Sequence, residues 1–145
     1  MNASSPRTAG ALGLVALLSL PVCAAELNGA AAAGKAVSNG QALYGTYCAA
    51  CHQADGAGIS GAFPPLKGSA VVNRDDATKH IDVVLAGLQG ARVSGVIYTA
   101  PMPAFAATLS DTDIAAIIDY ERGAWGNHGS LVAPAQVACE RVRLK

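Results

Sequence analysis

Five consecutive residues constrain this chain more than anything else in it: Cys48-Ala49-Ala50-Cys51-His52. On a helix these two thiols and the imidazole fall within little more than one turn, so they converge on one object. Three objects suit them. A redox dithiol accompanies a βαβ pattern, and none is readable here. A structural zinc needs four ligands, and the later candidates His80, His128 and Cys139 lie singly, with no second paired spacing. The third reading is c-type haem attachment, in which the thiols add to the two vinyl groups and the adjacent histidine binds iron. The spacing has a geometric reason. Two thioethers must reach two points on one porphyrin edge from a single turn, which brings the next residue beneath the metal.

The rest of the chain is compatible with such a group. It has 145 residues, enough for one domain. Apolar residues make up 52% and aromatics only 5%. A core so poor in rings is small, and a large apolar prosthetic group can complete it. Residues 1–25 have the layout of a secretory signal peptide: Arg7, an apolar run from Ala9 to Leu20, then Pro21 and small residues. That run is shorter than the roughly 20 residues a membrane span needs. Cleavage would leave Ala25 or Glu26 first. Cys23 offers lipid attachment as an alternative, which Val22 before it disfavours. The expected product is periplasmic, with no transmembrane span in the mature chain. From Glu26 onward nine Lys and Arg face ten Asp and Glu, so there is no basic surplus to recruit nucleic acid. The three cysteines left are an odd number and do not read as a disulfide framework. Cys139 reads as a small, half-buried thiol, or alternatively as one half of a disulfide to another chain.

Periodicity predicts an all-α domain with long glycine- and proline-rich loops. Residues 26–37 read as a flexible lead-in, 38–128 as the domain and 129–145 as a tail. Ser38 is placed to cap a first helix carrying Leu43, Tyr44, Tyr47 and Cys51 on one side. Gly40 and Gly45 within it read as positions where another helix approaches. A second helix is expected over 75–88, with Ile81, Val84, Leu85 and Leu88 on one stripe and Gly87 and Gly90 closing it. A third starts at Ser110, with Asp113 suited to its first turn and Ile114, Ile117 and Ile118 inward. Pro134 can open a short helix with Val137 and Val142. No convincing strand is readable.

Taken together these positions resemble a class I, monohaem c-type cytochrome. Gly40, Tyr44 and Cys48 repeat that family's glycine, aromatic and first cysteine; Cys51 and His52 complete its attachment motif. Phe63-Pro64-Pro65-Leu66 resembles the loop whose carbonyl holds the axial imidazole, and either proline can supply it. Pro101-Met102-Pro103 resembles the sixth-ligand loop. Ile117 and Tyr120 resemble the pair on the last helix that packs across the first. The resemblance covers residues 38 to 126. It implies the class I cytochrome c fold, one covalently bound haem c on Cys48 and Cys51, and iron held by His52 and Met102. Chain chemistry agrees on Met102. It is the only methionine after the leader, and flanking prolines stiffen its loop. His80 and His128 are the rivals for the sixth position, each otherwise an ordinary surface or helix histidine.

Two axial ligands leave iron no vacancy, which implies one-electron transfer rather than catalysis. The alternative is a haem enzyme or gas sensor with a labile sixth ligand. The run Tyr120-Glu121-Arg122 through Trp125-Gly126-Asn127 resembles the end of cytochrome domains that serve periplasmic or membrane-associated dehydrogenases. That likeness implies a dehydrogenase as donor and a cytochrome or oxidase as acceptor. Trp125 reads equally well as a closure of the last helix against the core.

Overall fold

The computed structural model describes the chain from Ala30, and its side chains from Asn39. The expected leader and Cys23 lie outside the described residues. α1 (Ala30–Tyr47) and α2 (Ala49–His52) are separated only by Cys48. Their hydrogen-bond ladder runs through the junction, from the Cys48 N–H to Tyr44 O at 2.9 Å and from the His52 N–H to Cys48 O at 3.0 Å. Ser38 lies inside α1 and does not cap it. The helix begins in the alanine-rich stretch expected as a lead-in, because alanine has the highest helix propensity of any residue.

α4 (Asp111–Gly123) crosses α1 at Gly40. A Cβ on Gly40 would lie 2.0 Å from the carbonyl oxygen of Ala116, so the two backbones touch. Gly45 has open space around it, which overturns its expected part in the crossing. Below the contact, Tyr44 packs its ring against Tyr120 at 5.4 Å and Trp125 at 5.1 Å between centroids. Ser110 caps α4 as expected. Its Oγ accepts from the Asp113 N–H at 3.1 Å, and the Asp113 carboxylate accepts in return from the Ser110 N–H and hydroxyl.

α3 (Thr78–Ala86) is shorter than the predicted 75–88. Asp76 accepts from the Thr78 N–H at its start, and Gly87 ends it with φ at +74°. Two short strands then form where only loop was expected: β1 (Ala91–Val93) and β2 (Val96–Tyr98), antiparallel, with Arg92 opposite Ile97. Ser94 and Gly95 join them, both at positive φ, the conformation that matches strand twist in a two-residue hairpin. Three residues a side are too few for period-two alternation to be read.

The tail is structural. α5 (Pro134–Arg143) starts with Pro134 at its first position, where the missing N–H costs nothing. Val132 and Val137 are buried with Ile81 and Leu85 of α3 and Ile114, Ile117 and Ile118 of α4. Val142 faces solvent. Arg141 holds Asp111 at 2.7 Å and the Leu109 carbonyl at 3.0 Å, while Arg143 reaches Asp82 at 2.5 Å. Cys139 on α5 is disulfide-bonded, which corrects the expected free thiol. Among the described residues no helix is long and apolar enough to cross a membrane.

Candidate functional site

The last turn of α2, the 58–66 loop and the 100–105 loop meet at a cavity of about 1130 Å³, open mouth included. Cys48, Cys51, His52 and Met102 all line it, although Met102 is some fifty residues from the others. Val72, Val84, Leu88, Tyr98 and Phe105 make much of the remaining wall. An apolar lining drawn from three separate segments is more than one ion needs and suits a large organic group.

His52 is buried and its ring is fixed. The Nδ1–H donates to the Pro64 carbonyl at 2.9 Å, which decides between the two candidate prolines. Nε2 is thereby left as the basic nitrogen, and a hydrogen bond of this kind strengthens it as a metal donor. Gly58 makes the arrangement possible. Its φ is +64°, its N–H donates to the His52 carbonyl at 2.9 Å, and a Cβ there would lie 2.4 Å from Phe63 O and 2.7 Å from Pro64 O. The proline loop therefore rests directly on glycine backbone.

The Met102 loop, which lines the same cavity, is pinned to the end of α3. Leu88 and Met102 exchange both backbone hydrogen bonds, at 3.1 and 2.9 Å. Gly87 permits this approach, because a Cβ on it would meet Met102 O at 2.5 Å. Met102 is half-buried and packs against the core cluster.

The Cys48 thiol is pushed well above its ordinary pKa, first by burial and then by the nearby Glu121 and Cys51. The Tyr44 hydroxyl is likewise raised, chiefly by burial, and donates to the Gln53 carbonyl at 2.6 Å. Among the described residues, no group of three or more His, Cys, Asp or Glu side chains forms a metal-holding cluster. The wall also carries a buried polar pair, His80 and Glu121, with Nε2 and Oε2 2.8 Å apart. His80 is thus neither a surface residue nor, through Nε2, free to bind iron, and its Nδ1 is buried with no partner among the described residues. His128 is exposed and does not line the cavity.

With a histidine aimed by a proline carbonyl and a methionine on a pinned loop lining the same apolar cavity, the donor set fits an iron porphyrin. The Cytochrome c family profile matches residues 37–125.

The chain belongs to the cytochrome c family.

The mostly helical architecture with one small hairpin is that of a class I cytochrome c, and the cofactor of the family is covalently bound haem c. This cytochrome is 35% identical over 104 residues to the cytochrome c subunit of a quinone-type alcohol dehydrogenase from Gluconobacter oxydans, covering 72% of this chain and 21% of that protein. It is 40% identical over 96 residues to cytochrome c-552 of Thermus thermophilus, covering 63% and 64% of the two chains. It is 34% identical over 100 residues to the gluconate 2-dehydrogenase cytochrome c subunit of Pantoea cypripedii, at 67% and 22%. The cytochrome thus spans about a fifth of the dehydrogenase subunits it matches and under two thirds of cytochrome c-552.

Two residues that shape the site stand in the run from Tyr120 to Asn127, which only a resemblance marks. Asn127 is one: its side chain takes the Gly68 N–H at 2.9 Å and gives to Glu121 O at 2.8 Å and Leu66 O at 3.2 Å, tying the 66–73 loop to α4. Trp125 donates from Nε1 to Ala54 O at 3.1 Å, so it closes α4 over the turn that follows the attachment motif. Its sequence reading as a closure is the one its contacts match.

Proposed function

We propose that this cytochrome is an exported carrier of single electrons. Haem, when bound, supplies an iron that alternates between two oxidation states. Cys48 and Cys51 would anchor it through their sulfurs, and His52 Nε2 and the Met102 sulfur would bind its iron. The observation that carries this assignment is the hydrogen bond from His52 to Pro64, with the pinned Met102 loop lining the same apolar cavity.

The chain's own residues divide the work. His52 is held in one orientation by Pro64 and needs no rearrangement when charge on the metal changes. Paired backbone bonds to Leu88 and flanking prolines keep the Met102 loop still, which keeps reorganisation small. A thioether partner favours the reduced state relative to a second imidazole. Valine, leucine and aromatic side chains exclude water from the rest of the cavity.

The dehydrogenase subunits among the relatives support a dehydrogenase as electron donor; the acceptor we propose is a further cytochrome or an oxidase. Residues 1–25 serve as a cleaved signal peptide and deliver the protein to the periplasm, where covalent attachment prevents loss of haem. Residues 38–128 form the cytochrome domain, on which the 129–145 segment packs as α5.

The assignment of axial ligands is tested by Met102→Ala. The variant should keep covalent haem, lose the weak long-wavelength sulfur-to-iron band of the oxidised protein, fall in reduction potential and bind added cyanide. An unchanged spectrum and potential would show that the sixth ligand lies elsewhere. Pyridine haemochrome analysis of denatured wild type tests the attachment itself, and free rather than covalent haem refutes it.

A further inference from the structure

We infer that His80 and Glu121 form a proton-binding site linked to the electron on the haem, so that Nδ1 of His80 gains a proton as the cytochrome is reduced. This rests on the reading that the cavity is the haem site.

Three observations carry it. The two side chains sit 2.8 Å apart and are only 5% and 4% exposed. Both line the cavity. The Nδ1 of His80 is buried and has no hydrogen-bond partner among the described residues. Glu121 occupies Nε2, so Nδ1 is the ring atom available to a proton. A buried histidine–carboxylate pair is weak as a stabilising device, because apolar residues of similar volume commonly do as well. In a cofactor wall, a proton gained by the imidazole acts at short range through a medium that screens poorly.

Neighbouring charges are otherwise engaged. From α1 and the α1–α2 junction, Tyr44 and Cys48 reach Glu121 electrostatically; Tyr44 is hydrogen-bonded to Gln53 O and Cys48 is consumed by the thioether. On α4, Asp119 accepts from the Val132 N–H, and Arg122 donates to the carbonyls of Ser130 and Arg74. On α3, Lys79 is exposed and Asp82 pairs with Arg143. Asp75 and Asp76, before α3, are exposed and act on Arg122. Tyr47 and Tyr98 share the cavity wall. A change of charge in the cavity they line is then what would alter the proton balance at the pair. Reduction brings one electron from the reduced partner to iron, and one proton passes from water to His80. By reciprocity, the proton raises the electron affinity as much as the electron raises the proton affinity.

The test is the midpoint potential of the holoprotein measured from about pH 5 to 9, a range spanning imidazole titration. The wild-type potential should fall with rising pH. The limiting slope for one proton per electron is tenfold per pH unit, about 59 mV. His80→Gln keeps an N–H for Glu121 but cannot titrate, and it should abolish the fall in this window. The double variant His80→Leu, Glu121→Leu should do the same, and it remains informative if a lone unpaired Glu121 prevents folding. As a second readout, the NMR titration of the His80 ring should move to higher pH in the reduced protein, by at least threefold in proton affinity. A flat wild-type potential, a slope that survives in His80→Gln, or equal His80 titrations in both redox states would overturn the inference while leaving covalent haem and Met102 ligation intact. Absence of covalent haem from the wild type would instead remove the reading beneath it.

Discussion

Gly58 and Gly61 lie in the same loop and have nearly the same backbone conformation, at φ +64° and +76°. Replacing either by alanine puts a Cβ into the left-handed region, at a cost of about 1–2 kcal/mol. There the likeness ends. A Cβ at position 61 meets nothing within 4 Å, whereas one at position 58 would sit 2.4 Å from Phe63 O and 2.7 Å from Pro64 O. Those are backbone atoms, which cannot swing aside as the end of a flexible side chain does. Forcing them apart adds an overpacking cost of about 1–3 kcal/mol. Gly61→Ala should therefore lose about 1–2 kcal/mol and Gly58→Ala about 2–5 kcal/mol. The atoms displaced include the carbonyl that receives the His52 Nδ1–H, so Gly58→Ala alone should also perturb the axial imidazole. Guanidinium unfolding of the two haem-loaded variants gives the difference in stability, and their reduction potentials report on His52. Equal losses, within about 0.5 kcal/mol, with equal potentials would refute the argument that the proline loop is seated on Gly58.

Ser110→Ala should cost about 1 kcal/mol by removing the α4 cap, with the haem spectrum unchanged, because the lost bonds are exposed and Ser110 does not line the cavity. Burial raises the carboxyl pKa of Asp119, partly offset by the Val132 N–H and Arg122. Its contribution to stability is therefore full in acid, where the group is neutral in both states, and declines as pH rises through the raised value. Asp119→Asn keeps an oxygen for Val132 and should flatten that decline; unfolding midpoints measured from about pH 4 to 7 check it, and an unaltered slope counts against the assignment. Gly40→Ala should destabilise the α1–α4 crossing by several kcal/mol, since its Cβ would lie 2.0 Å from Ala116 O, whereas Gly45→Ala should be neutral or stabilising by up to about 1 kcal/mol. A Gly45→Ala loss as large as that of Gly40→Ala would contradict the observed packing.

Much of the architecture was legible because its signals are local. The Ser110 cap, the isoleucines of α4 and the stripe on α3 each depend on residues within a few positions of one another. Pro134 announced α5 for the same reason, but nothing local showed that Val132 and Val137 would complete the core. The hairpin escaped because its strands are too short to show a period. Gly40 and Gly45 look alike in sequence, and only the position of α4 separates a helix contact from open space.

The sequence by itself determined the chemistry of one end of the site. Cys48, Cys51 and His52 share a helical turn, and their relative placement follows from helix geometry alone. Tertiary structure decided everything that depends on distant segments meeting. It chose the Pro64 carbonyl over that of Pro65 for His52, brought the Met102 loop against Leu88, and buried His80 against Glu121. These are contacts between residues 12, 14 and 41 positions apart. No periodicity records them, because chain packing rather than local backbone preference brings the partners together.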